Sequence, residues 1–245
     1  MMKKLVIGLF ALLPTLSMAA GPAMPLQEAN IDLTDQASLQ RGAKLFMNYC
    51  LGCHQMQYQR YERTFRDIGI PTDIGQESLI FDGSKVGSHI KNAMDKDDAA
   101  KWFGAAPPDL TLISRVKSPD YIYTYLKSFY KDESRPFGVN NIVFPSVGMP
   151  HVLQELQGLP TPVVEEVEEH GKTVTKVVAT ETDGSGEMSV DEYDQAARDL
   201  ANFMAYVGEP SRLDSESLGI KVIGFLIILF IFAFLLKKEY WRDVH

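Results

Sequence analysis

A mainly α fold, with one small β-hairpin and a single C-terminal membrane-spanning helix, is predicted from three observations. Apolar residues recur at helical spacing within 37–49, 119–130 and 190–207. β-Branched residues flank a His170-Gly171 turn between Val163 and Thr180. The 19 residues Leu218 to Leu236 carry one charge, Lys221, near their start. As a helix they would extend about 28 Å, close to the thickness of a bilayer's hydrocarbon core.

Residues 1–20 read as a secretory signal peptide. Lys3 and Lys4 make a positive start, Leu5 to Leu16 is an apolar run broken by Pro14, and Ser17, Ala19 and Ala20 supply small residues for cleavage after Ala19 or Ala20. Twelve mostly apolar residues are too few to span a bilayer, which takes about 20. Removing the segment leaves about 225 residues, enough for one domain with a substantial core. We place that exported domain at 21–210, a linker at 211–217, the membrane helix at 218–236 and a cytoplasmic tail at 237–245. From Gly21 to Leu218, 18 Lys and Arg face 30 Asp and Glu, a charge of −12. Such a domain repels nucleic acid and attracts basic partners.

Leu39, Ala43, Phe46 and Met47 stand roughly at helical spacing in the breaker-poor run Ala37 to Tyr49, a helix that delivers Cys50. Cys50-Leu51-Gly52-Cys53-His54 follows, with the chain's only two cysteines. Cysteines three apart with a histidine directly after the second are a c-type haem attachment pattern. Positions i and i+3 share one face of a helical turn, so both thiols can add to haem vinyl groups. His54 then supplies the proximal iron ligand. The competing reading is a disulfide or redox-active pair, but the βαβ pattern that accompanies a thioredoxin-like pair is missing. Export bears on both readings, because the exported side of a membrane permits cysteine oxidation.

Beyond the motif, Tyr58, Tyr61 and Phe65 continue helical spacing, and Arg60, Arg63 and Arg66 form a second stripe. We read the stripe as a solvated face in preference to propionate partners. Residues 68–87 are punctuated by Gly69, Pro71, Gly75 and Gly83 and read as loops around short helices; His89 to Lys101 reads as a weak helix. In Gly104-Ala105-Ala106-Pro107-Pro108-Asp109-Leu110 the diproline holds the chain extended without backbone donors. That suits a rigid wall against a flat cofactor, with Pro108 as a candidate contact, and it equally suits a purely structural turn. Asp109 is a candidate helix cap. Arg115 is a candidate partner for a haem propionate, though alone it reads as a surface arginine.

A helix is predicted from Ser118-Pro119 to about Tyr130, and irregular chain from there to Val147. The sixth iron ligand is sought after this point. Met149 stands between Gly148 and Pro150, where the backbone can come close and fix a thioether. Met204 lies on an apolar helix face, Met188 before a helix start and Met94 in a charged stretch. Residue chemistry alone leaves Met149, His151, His89 and these other methionines open.

The predicted hairpin from Val163 has an acidic first arm (Glu165, Glu166, Glu168, Glu169) and a second arm carrying Lys172 and Lys176; His170 is a turn residue. Ser189-Val190-Asp191-Glu192 fits a capping box. Tyr193, Ala196, Ala197, Leu200, Phe203, Met204 and Val207 form the buried stripe behind it, ended by Gly208 and Pro210. That helix is expected to pack on the haem-bearing one. Lys237, Lys238 and Arg242 follow the membrane segment, with Tyr240 and Trp241 at interfacial level, which puts the tail in the cytoplasm and the haem domain outside.

Taken in order, the haem motif, Gly104 to Leu110, Arg115, Gly148-Met149-Pro150, Met188-Ser189, Gly208-Glu209-Pro210 and the C-terminal anchor resemble the bacterial type of the cytochrome c1 family. These are the haem subunits of ubiquinol–cytochrome c reductase (bc1) complexes, and the resemblance runs from about Arg41 to the end. It implies a c-type cytochrome domain enlarged by insertions, on a bacterial inner membrane with the domain in the periplasm. One haem c would be attached through two thioethers, with iron held by His54 and Met149 and a propionate by Arg115. It also implies one-electron transfer from a Rieske iron–sulfur protein to a soluble or membrane-tethered cytochrome c. Quinol oxidation would belong to cytochrome b, so the chain is not expected to be an enzyme alone. Between Val163 and Glu187 the chain departs from the better-known members. The rival readings are a haem subunit of another respiratory complex, such as a terminal oxidase or nitric oxide reductase, and an anchored structural protein with a disulfide.

Overall fold

Helix α1 (Gln36–Leu45) crosses the long helix α8 (Val190–Gly208), and the core is built on that crossing. The structure, a computed structural model, describes residues 24–169 and 172–242. The signal segment, the His170-Gly171 turn and the last three residues fall outside them. A Cβ on Gly42 would collide with the Asp199 carbonyl and stand 2.7 Å from Phe203 Cβ, so only glycine lets the two backbones come this close. Around that point Leu39, Ala43, Phe46, Leu200 and Phe203 are buried, with the Phe46 and Phe203 rings 6.0 Å apart. Asp199, buried on α8, accepts from Ser38 Oγ at 2.7 Å and from Arg41 Nε at 2.6 Å. The predicted capping box is present: Ser189 Oγ accepts from the Glu192 amide, and Glu192 accepts from the Ser189 amide at 2.9 Å. All seven residues of the expected stripe on α8 are buried. Gly208 is the last residue of α8, and a Cβ there would collide with Ser114 Oγ, which donates to the Met204 carbonyl at 2.9 Å.

Between the two long helices lie β1 (Met56–Arg60), α2 (Tyr61–Asp67), α3 (Thr72–Ser78), β2 (His89–Ile90), α4 (Lys96–Phe103), α5 (Ile113–Lys117), α6 (Pro119–Lys127), β3 (Phe129–Lys131), β4 (Val139–Asn141) and α7 (Gln154–Gln157). Helix α6 begins as the sequence predicts: Ser118 Oγ accepts from the Tyr121 amide and Pro119 occupies the first turn. It packs on α8, where Tyr193 Oη donates to the Leu126 carbonyl at 2.8 Å.

Several stretches differ from expectation. Residues 56–60 form a strand, with Met56 and Gln59 buried and Tyr58 70% exposed, so the helical spacing begins only at Tyr61. The run from His89 opens as the short strand β2, antiparallel to β1, and turns helical only at Lys96. Residues 130–147, expected to be irregular, contain part of the β3–β4 ladder, with Tyr130 opposite Asn140. The arginine stripe agrees with a solvated face: Arg63 and Arg66 are exposed and both reach Asp67.

The predicted hairpin exists as β5 (Thr161–Glu169) and β6 (Lys172–Glu181), antiparallel with one register shift between Val163 and Val164. Its base is tied to the domain where Lys131 N–H donates to the Pro160 carbonyl. Helix α9 (Arg212–Tyr240) is, among the described residues, the one helix long and apolar enough to cross a membrane. It starts six residues before Leu218, so residues 212–217, expected as a linker, are wound into it.

Candidate haem-binding site

After Leu45, helix α1 loosens into a π turn, Phe46–Cys50, in which the Leu51 amide donates to the Phe46 carbonyl at 3.0 Å. Such widened turns concentrate at functional positions because they redirect side chains. The motif then closes on itself: the amides of Cys53 and His54 both donate to the Cys50 carbonyl, at 3.1 and 2.8 Å. Cys50 is buried and Cys53 half-buried, and both thiols are free. Burial pushes the Cys50 thiol up to about 12 and raises that of Cys53. A redox-active pair needs a stabilised thiolate, and these surroundings oppose one. They suit sulfur in an uncharged thioether.

His54 is oriented by backbone. Its Nδ1 lies 2.8 Å from the Pro108 carbonyl oxygen. A carbonyl can only accept, so Nδ1 carries the proton and Nε2 is left with its lone pair free for a metal. Burial lowers the imidazole's proton affinity, outweighing the Pro108 bond and the Asp109 charge, and keeps the ring neutral as a ligand must be. Pro108 itself is fixed by a strap. The Leu110 amide donates to the Gln55 carbonyl at 2.9 Å. Asp109 accepts from the Gln57 amide through Oδ2 at 2.8 Å and from the Thr111 amide through Oδ1 at 2.9 Å. Asp109 is therefore not the helix cap expected of it; the residue preceding α5 is Leu112. What Pro108 supplies to His54 is a carbonyl oxygen, an atom that side-chain reasoning does not reach.

Met149 stands on a second wall. It is half-buried against Phe129, Val139 and Val147, and its Sδ accepts a hydrogen bond from Tyr125 Oη at 3.3 Å. A Cβ on the preceding Gly148 would stand 2.9 Å from the Phe103 carbonyl. That contact sets the Met149 loop beside the end of α4, five residues before the proline that holds His54. Met204 is buried in the main core and Met188 packs against it, while His89 sits within the β1–β2 pairing. Met94 follows Asn92, whose side chain donates to the Leu51 carbonyl at 2.9 Å. His151 is buried, stacked on Phe129 with centroids 4.8 Å apart, and burial pushes its imidazole down to about 4. Arg115, on α5, is more than half exposed and pairs with Glu209 at 3.4 Å.

The donor set fits a haem better than a bare ion. Among the described residues no three of His, Cys, Asp and Glu stand together as a metal cage. One free imidazole nitrogen, two free thiols on one turn, and a thioether on an aromatic wall suit an iron already held by a macrocycle. The model of the Cytochrome C1 family matches residues 27–244.

The chain belongs to the cytochrome c1 family.

Membership makes it an electron-transport protein of haem, and α9 fits the membrane attachment. The mainly α architecture with small antiparallel strand pairs agrees with the expected fold class. Relatives of this cytochrome c1 family chain include the cytochrome c1 of Allochromatium vinosum, 54% identical over 247 residues that span all of both chains. A Nitrosomonas europaea protein named ammonia monooxygenase gamma subunit is 42% identical, over all of this chain and 99% of its own. The cytochrome c1 of Rhodospirillum rubrum is 28% identical over 86% of this chain and 83% of its own.

Proposed function

We propose that the chain is the membrane-anchored haem subunit of a bc1 complex, beside cytochrome b and a Rieske iron–sulfur protein. It takes single electrons from the Rieske protein and passes them to a soluble or membrane-tethered cytochrome c. The observation that carries this reading is the Pro108 carbonyl on His54 Nδ1, one residue after the paired thiols. A single haem c, bound through thioethers at Cys50 and Cys53, supplies a one-electron iron couple. His54 offers a neutral nitrogen of fixed direction, and Met149 a neutral sulfur; a neutral pair is stable in both iron states and favours the reduced one. The exposed Arg115–Glu209 pair is worth little as it stands, so the guanidinium is free to turn to a propionate. Pro107 and Pro108 stiffen the wall without donors that need water. Residues 1–20 direct export and are removed, and α9 anchors the domain with Lys237, Lys238 and Arg242 on the cytoplasmic side of the inner membrane. Quinol chemistry then lies with cytochrome b.

A second reading keeps the haem and changes the complex, and the relative named as an ammonia monooxygenase subunit favours weighing it. Solubilising membranes and pulling down the tagged chain decides between them. Cytochrome b and a Rieske protein should co-purify, with a c-type reduced-minus-oxidised spectrum; an oxidase or monooxygenase core in their place refutes the bc1 reading.

A further inference from the structure

The hydroxyl of Tyr125 has a role that no part of the attachment motif assigns. Tyr125 lies two turns into α6, and its Oη reaches Met149 Sδ at 3.3 Å. Its ring is held on two sides. Tyr121, one turn earlier, stacks on it with centroids 6.2 Å apart and planes 13° from parallel. Phe129 meets it edge-on at 5.2 Å and 77°. Phe129 in turn stacks flat against His151, two residues beyond Met149. The loop carrying Met149 is therefore gripped at Met149 itself through the hydroxyl and at His151 through the ring of Phe129. A buried hydroxyl without a partner is costly, and thioether sulfur is only a weak acceptor, so the pairing holds because the packing on both sides leaves the hydroxyl aimed there.

Resting on the reading of Met149 as the distal ligand, we propose that Tyr125 is a positioning residue that holds and electronically tunes the Met149 sulfur. Sulfur has two lone pairs. The Tyr125 proton occupies one and leaves the other for the metal, which fixes the direction from which the thioether is presented. The same hydrogen bond withdraws density from sulfur and weakens it as a donor. Oxidised iron depends on that donation more than reduced iron does, so the bond raises the reduction potential.

The test uses full-length holoprotein in its purified complex and three variants. Tyr125→Phe keeps the ring against Tyr121 and Phe129 and removes only the donor. Its potential should fall, and the near-infrared sulfur-to-iron charge-transfer band should shift, with haem content unchanged. Tyr121→Phe, whose ring packs on Tyr125, should match the parent in both. An unchanged potential and band in Tyr125→Phe, or equal shifts in both tyrosine variants, overturns the role of Tyr125. Met149→Leu separates the two levels of the argument. If it loses the band while Tyr125→Phe equals the parent, the tuning role alone is wrong. If it keeps the parent's band, Met149 is not the ligand and both readings fall.

Discussion

Replacing Asp109 by alanine should loosen the grip on His54 without touching a haem ligand. The carboxylate accepts from two backbone amides, Gln57 at 2.8 Å and Thr111 at 2.9 Å, and so pins the strap that carries Pro108. Hydrogen bonds to a charged group contribute about 1.5–3 kcal/mol each. Asp109 is half-buried, and water can replace part of what is lost, so the two together are worth about 2–3 kcal/mol. In a domain of roughly 190 residues each kcal/mol moves the midpoint by about 2–4 °C, giving a fall of about 4–12 °C. Melting of the purified holoprotein at fixed scan rate, followed by circular dichroism, reads this directly. A second effect separates loss of the strap from general destabilisation. The Pro108 carbonyl on Nδ1 raises the basicity of Nε2, the proposed ligating atom, so its retreat should weaken His54 as a donor and raise the reduction potential. Asp109→Asn, which keeps one acceptor oxygen, should fall between the two. A variant with the parent's midpoint and potential would show that the strap does not hold His54.

Two further outcomes follow from the site and the core. Cys50→Ala combined with Cys53→Ala should leave no covalent haem, and haem that resists acid–acetone extraction from the double variant would contradict the thioether assignment. At Asp194 burial pushes the carboxyl up, but hydrogen bonds from Lys127, Tyr123 and Arg198 outweigh it and hold the group down to about 2 against its ordinary 3.8. A depressed carboxyl stabilises the fold fully above pH 3.8, and that contribution is lost as the pH falls to about 2. With the side chain 30% exposed, the contribution is discounted to about 1–2 kcal/mol. Asp194→Asn should therefore be the less stable protein at pH 6 and lose that disadvantage by about pH 2; a gap constant across the range refutes the linkage.

Local signals in the chain were readable as sequence, and non-local ones were not. Ser118-Pro119 and Ser189 with Glu192 announce helix starts because a cap is made by residues three apart. Strands β1 and β2 are five and two residues long, and Arg60 finds His89 across 28 intervening residues. No period in so short a run can show that pairing. Tyr58, Tyr61 and Phe65 share a helical spacing by coincidence, since the backbone changes from strand to helix between the first two. At the proposed site, Cys50, Cys53 and His54 could be singled out from sequence because haem attachment needs that spacing. Pro108 was singled out as a wall, whereas the structure uses its carbonyl. Tyr125 gave no signal at all: its place on a helix full of tyrosines says nothing of a methionine 24 residues later.

The β5–β6 register changes what should be expected of the acidic arm. Glu165 stands opposite Lys176 and Glu169 opposite Lys172, whereas Glu166 faces Thr175 and Glu168 faces Thr173. Alternation along a strand puts Glu166 and Glu168 on one face, where no lysine stands opposite, so the arm's net negative field should come from that face. For a basic carrier at about 10 Å, each carboxylate contributes about 0.4 kcal/mol per unit charge in water. Two of them then change the encounter rate by about fourfold at low salt, and by less than about twofold at 0.1 M, where the screening length is about 10 Å. Glu166→Gln with Glu168→Gln should reproduce that loss in rapid-mixing electron transfer to a basic cytochrome c and flatten the salt dependence. Glu165→Gln with Glu169→Gln removes charges at positions whose register partners are lysines and should do less, and neither pair should alter the haem spectrum. If both double variants keep the parent's rate and salt slope, the arm lies outside the carrier's path; if the two lower the rate equally, the register does not decide which charges act.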